Sequence, residues 1–129
     1  SIFQFNQARI LKERGKTRDA LILLDSNRYK DSLIEIHARI EMIKIYYELK
    51  EDALLINQKQ STEKFINKLD KLGYHKKYYN NFCKYANQLR NAEKKSSMSK
   101  ELIKKLNSET EVIERNWLLK EVYKIPTNK

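Results

Sequence analysis

At 129 residues the chain is about one domain long, enough to bury roughly two thirds of its unfolded surface without covalent staples. Two glycines and one proline are too few turn residues for an all-β or dinucleotide-binding sheet fold, and a single cysteine excludes an intrachain disulfide. Of the +10 net charge, +8 lies between Lys59 and Lys100, where 11 Lys/Arg face only Glu63, Asp70 and Glu93.

The first helix is predicted from Phe3 to Arg14, with Phe3, Ala8, Ile10 and Leu11 as its apolar stripe. Gly15 ends it, because glycine enters the left-handed conformation at least cost. Thr17 is the expected cap of a second helix that buries Ala20, Leu21, Leu23 and Leu24 and stops at polar Asp25-Ser26-Asn27. A connection this short makes the two helices antiparallel.

Asp31 or Ser32 should cap a third helix. Its buried face is Leu33, Ile36, Ile40, Ile43 and Tyr47, widened by Met42, Ile45, Tyr46 and Leu49. After a break at Lys50-Glu51, a fourth helix is expected from Asp52 to Leu72, crossing a polar middle at 57–64. Gly73 should close it, with Tyr74 making the hydrophobic contact of a Schellman ending. A fifth helix is predicted over His75–Lys94, with Tyr78, Phe82, Tyr85, Ala86 and Leu89 inward, and a loop over 94–99. Ser97 or Ser99 then caps a sixth helix carrying Leu102, Leu106, Ile113, Trp117 and Leu118, with Pro126 past its end and 127–129 frayed.

Ala8, Leu11, Gly15, Ala20 and Leu24 follow one another as small, large, turn glycine, small, large. That spacing resembles a tetratricopeptide repeat, in which small side chains let two helices approach and large ones fill the groove. Ile45-Tyr46-Tyr47-Glu48-Leu49 resembles the end of the first helix of a second repeat, 34 to 35 positions after Leu11. The pattern departs from the family at Lys50, where the turn glycine would stand, and at Ala53/Leu54, where the small residue would stand; no proline closes either repeat. Residues 1–58 are therefore read as tetratricopeptide-like and 59–125 as diverged terminal helices of the same domain. The segment Tyr29–Leu49, with Glu114-Arg115-Asn116-Trp117-Leu118-Leu119, also resembles the C-terminal portion of long bacterial tetratricopeptide-containing proteins of no settled role. The resemblance implies six antiparallel helices in a right-handed solenoid and supplies no chemistry.

Composition and spacing give no catalytic centre. Phosphate loops and dinucleotide turns need glycines that are absent. His37 is expected as an interhelical contact, His75 near a helix start, and Cys83 as a small buried hydrophobe. Glu109, Glu111 and Glu114 are expected on the sixth helix as a solvated surface paired with Arg115. Cysteine and histidine spacing gives no zinc site, so neither metal nor cofactor is expected. No apolar run approaches the roughly 20 residues of a membrane span, and no signal segment is visible, which makes the cytoplasm the default location. Ser1 in place of Met leads us to expect a fragment of a longer protein.

The function expected is a protein–protein interaction scaffold, not an enzyme. Asn6, Arg9, Glu13, Arg39 and Lys44 would line a groove made by the first helices of successive pairs, and exposed terminal helices would allow self-association. The alternative is nucleic-acid binding through the basic 59–100 helices, where Lys76, Lys77 and Lys84 would meet phosphates and Tyr79, the aromatic left outside the core stripe, would stack a base.

Overall fold

The computed structural model describes residues 2–26 and 29–126; Ser1, Asn27 and the expected frayed tail at 127–129 lie outside them. Among the described residues the chain is all-helical, without a strand. It divides into two compact units, Ser1–Thr62 and Glu63–Lys129.

The first unit holds α1 (Ile2–Glu13), α2 (Thr17–Ser26), α3 (Ser32–Glu48) and most of α4 (Asp52–Lys68). Gly15 adopts φ +80°. Around it the Lys16 N–H bonds the Leu11 carbonyl at 2.9 Å and the Gly15 N–H bonds the Lys12 carbonyl at 3.0 Å. This pair is the Schellman pattern, which satisfies carbonyls the helix end would otherwise orphan. The Ala20 N–H reaches the Lys16 carbonyl at 3.0 Å, so Thr17 is the first helical residue and not the cap expected for it. Buried Ala8 and Ala20 keep the α1–α2 crossing close.

Asp31 does cap α3, its carboxylate accepting the N–H groups of Leu33 at 2.8 Å and Ile34 at 3.2 Å. Ile36, Ile40, Ile43, Met42, Ile45 and Tyr46 are buried as expected, whereas Leu33, in the first turn, is exposed. The break before α4 repeats the first one. Lys50 sits at φ +58°, its N–H on the Tyr47 carbonyl at 3.1 Å, and the Glu51 N–H bonds the Tyr46 carbonyl at 2.9 Å. The Leu55 N–H then bonds the Glu51 carbonyl at 2.9 Å, as Ala20 does with Lys16. Each bond lies 35 residues after its counterpart.

The polar middle of α4 is helical throughout, with Thr62 fully buried and accepting from Gln58 at 3.2 Å. In the second unit α4 ends at Lys68, short of the expected Leu72, because the Leu69 N–H turns to the Ile66 carbonyl three residues back. Gly73, at φ +54°, belongs to a separate turn in which the His75 N–H bonds the Leu72 carbonyl. Tyr74 is exposed and lies against the His75 ring, centroids 4.1 Å apart, so it closes no Schellman contact.

α5 spans His75–Lys94, and Phe82, Tyr85, Ala86 and Leu89 are buried with Cys83 and Ala92. A short 3-10 helix at Ser96–Met98 leads into α6 (Ser99–Ser108). Ser99 is not a cap: its buried hydroxyl donates to the Ser96 carbonyl at 2.7 Å.

The sixth helix does not continue. A break at 109–114 separates α6 from α7 (Arg115–Tyr123), which makes seven α-helices among the described residues where six were expected. The cause is local. Asn107, Ser108 and Thr110 are weak helix formers, and the Glu109 carboxylate accepts the Glu111 N–H at 3.0 Å, offering the backbone a non-helical partner. Arg115 gathers the carbonyls of Leu106, Asn107 and Glu109 at 3.2–3.4 Å and so closes α6. Asn81 of α5 donates to the Glu111 carbonyl at 2.9 Å, and Glu114 takes φ +61°. Glu109, Glu111 and Glu114 therefore belong to the break and not to a helix face.

Candidate docking cavity

A cavity of about 470 Å³ lies within the first unit. α2 contributes Leu24 and Asp25, the following link Tyr29, α3 Glu35, Ala38, Arg39 and Met42, and α4 Gln58 and Ser61. Buried Leu24, Ala38 and Met42 are its apolar lining. Arg39 is held from two sides. Its Nε and one terminal nitrogen meet Glu35 Oε2 at 3.1 and 3.0 Å, and its other terminal nitrogen donates to Ser61 Oγ at 2.8 Å. The Tyr29 hydroxyl donates to the Leu24 carbonyl at 3.1 Å, which ties the link back to α2.

Glu35 and Arg39 keep about a quarter of their side-chain surface in solvent. An i,i+4 pair of this kind adds only about 0.3–0.5 kcal/mol, so its effect is orientation more than stability. Asp25 and Glu35 against Arg39 leave the lining with one net negative charge, in a chain that is otherwise basic. The same Asp25 and Glu51 add to the effect of burial in raising the Tyr46 hydroxyl above its ordinary range.

The residues expected to form one groove do not share a face. Asn6, Arg9 and Glu13 are exposed along α1, with the Arg9 guanidinium 5.9 Å from the centre of the Phe5 ring. Arg39 instead turns toward α4 and into the cavity. Lys44, expected outward, is only 8% exposed, with its ammonium 3.2 Å from Glu41. Lys12 of α1 meets Glu41 at 3.5 Å and Glu48 at 3.4 Å, so that side of α3 is an internal ionic cluster. Helical phase assigns a residue an angle; it does not tell which neighbour covers that angle.

The residues named for nucleic acid make contacts within the second unit. Lys76 donates to the Asn67 carbonyl at 3.1 Å. Lys77 pairs with Glu111 at 3.1 Å, and that hydrogen bond raises its pKa. Lys84 lies 4.8 Å from the centre of the Tyr85 ring. Tyr79, expected outside the core, is half-buried, and burial lifts its hydroxyl above the usual range. The Tyr85 hydroxyl donates to Glu109 at 2.7 Å; burial first, then this bond, pushes it up to about 12. The same bond, seconded by the Glu111 N–H, lowers the Glu109 carboxyl.

His37 is exposed, and His75 lies between the rings of Tyr74 and Tyr78. Cys83 is fully buried, and Trp117 packs with its ring 6.2 Å from Phe82. Among the described residues no cluster of three His, Cys, Asp or Glu could hold a metal, and no helix is long and apolar enough to cross a membrane.

Sequence reasoning did not single out Asp25, Tyr29, Glu35, Gln58 or Ser61. Only the i,i+4 spacing of Glu35 and Arg39 signalled anything in advance. No protein-family model, curated protein or solved structure matches the chain.

Proposed function

We propose that the chain is a non-catalytic, tetratricopeptide-like scaffold that docks a protein segment, taking a lysine or arginine side chain into the first-unit cavity. The observation that carries this is the cavity itself: about 470 Å³, its lining mostly polar, with Asp25 and Glu35 outweighing a pinned Arg39. That volume lies within the roughly 300–1,000 Å³ range of ligand pockets. The repeated turns at Gly15 and Lys50 support the tetratricopeptide-like reading, because a 35-residue period of helical hairpins is close to that repeat.

Array-bound peptides probed with the full chain test it. Lysine- or arginine-bearing peptides should be retained, and Asp25→Asn should weaken them about twofold to fivefold, as loss of an exposed charge partner does. Retention of no peptide, or retention indifferent to Asp25→Asn and Glu35→Gln, would sink the proposal.

Nucleic-acid binding through residues 59–100 draws on the +8 charge of that segment. Of the residues named for it, Lys76 and Lys77 already hold internal acceptors, Tyr79 is half-buried, and Lys84 is exposed over the Tyr85 ring. Gel shifts that weaken steeply with salt would favour that reading over the scaffold.

A further inference from the structure

In the turn between α4 and α5, Leu72 is buried, while Tyr74 beyond Gly73 is 74% exposed and His75 is exposed beside it. The Tyr74 and His75 rings lie 4.1 Å apart, inclined by 36°, and half-buried Tyr78 follows with its ring 6.2 Å from His75. A lone exposed aromatic needs no explanation, but three rings in succession make a patch. Two bonds tie the start of α5 to the end of α4. Lys76 donates to the Asn67 carbonyl at 3.1 Å, and the Asn80 amide donates to the Asn67 side chain at 3.1 Å. Lys68, next to Asn67, is thereby brought to the start of α5. Lys71 is three residues from Tyr74, at most about 11 Å of chain. Lys64 stands one turn before Lys68 on the same face of α4, about 6 Å along its axis. All three lysines are exposed, and none forms an ion pair among the described residues. Between Glu63 and Tyr78 five lysines stand against Glu63 and Asp70. Lys76 and Lys77 are engaged within the unit, so Lys64, Lys68 and Lys71 remain for an anion from outside.

We propose that this turn binds single-stranded nucleic acid, an unpaired base stacking on the Tyr74 and His75 rings while the neighbouring phosphates meet Lys68 and Lys71. Exposed rings among unpaired ammonium groups supply the two things a single strand offers to bind by, base faces and backbone charge. A duplex keeps its base faces stacked inside and could use only the lysines. An anionic membrane would take apolar side chains into its interface, yet Leu72 is buried and Leu69 half-buried. An acidic peptide would satisfy the lysines and leave the rings idle. The surface rests on the nucleic-acid reading of residues 59–100 and places it on Tyr74, His75, Lys68 and Lys71 in place of Tyr79 and Lys84. Neither Asp25 nor Glu35 enters it, so the first-unit cavity stands or falls by its own test.

Fluorescence anisotropy of a labelled oligothymidylate, titrated with the full chain over a salt series, tests it. Affinity should fall with salt, the logarithmic slope being about 0.7 for each phosphate neutralised. Tyr74→Ala alters an exposed side chain, so circular dichroism should stay unchanged while affinity falls at least about fivefold. Tyr74→Phe should keep the affinity and Tyr74→Leu should lose it, because leucine retains apolar surface but no stacking face. Lys68→Ala and Lys71→Ala should each weaken binding and lower the salt slope by about 0.7. No binding, including the case in which only phosphatidylserine vesicles capture the chain, would overturn this inference and the nucleic-acid reading together. Loss on Lys84→Ala with none on Tyr74→Ala would keep that reading and overturn this surface. Equal affinity for a duplex, or full affinity in Tyr74→Leu, would remove the stacking and the inference with it.

Discussion

The turns at Gly15 and Lys50 share one hydrogen-bond pattern and one backbone hand, yet one is glycine and the other lysine. The first could be read from the residue type alone. The second could not, because a left-handed non-glycine residue costs about 1–2 kcal/mol and is seldom chosen for its own sake. Lys50 adopts it because the helices on either side are placed by their buried residues, Ile43, Ile45 and Tyr46 before it and Leu55 after it. At the first turn the residue permits the conformation; at the second the packing imposes it.

The comparison breaks most forcefully in the core. Ala20 and Leu55 occupy equivalent positions, each completely buried, but the first hairpin is closed on a methyl group and the second on an isobutyl group. Leu55→Ala should leave a cavity and cost about 2–5 kcal/mol. Ala20→Leu should force the closely packed α1–α2 crossing apart at about 1–3 kcal/mol. Denaturant titration checks both; if each residue tolerated the other's identity, the hairpins would not be packed as described.

A smaller effect sharpens the comparison at the turns. A Cβ built at Gly15 meets nothing within 4 Å, so Gly15→Ala should lose only the conformational cost of φ +80°, about 1 kcal/mol. Lys50→Gly should move the other way, relieving strain but loosening the unfolded chain, for a net gain of about 0.5–1 kcal/mol. Opposite signs in paired denaturation curves are the expected result.

Much of the helical framework was legible because its signals are local. Gly15, the Asp31 cap and the Phe82, Tyr85, Leu89 stripe of α5 each act within a turn or two of helix. The break at 109–114 was not, because Trp117 and Leu118 continue the apolar phase of Leu102 and Leu106 well enough to imply one helix. What interrupts it joins a local bond, the Glu109 carboxylate on the Glu111 N–H, to a long-range one, Asn81 of α5 on the Glu111 carbonyl. The cavity was equally hidden. Asp25, Glu35 and Ser61 sit on three helices, and nothing in their spacing says that they meet. Lys44 was misplaced for the same reason, its cover being decided by neighbours and not by phase.

The tetratricopeptide-like reading rests on one register, the 35-residue correspondence of α1–α2 with α3–α4. Scalar couplings across hydrogen bonds in the isotope-labelled chain measure it directly. A coupling from the Lys16 nitrogen to the Leu11 carbonyl should have its twin from the Glu51 nitrogen to the Tyr46 carbonyl. A Glu51 amide coupled to any other carbonyl would dissolve the correspondence, and the tetratricopeptide-like reading with it.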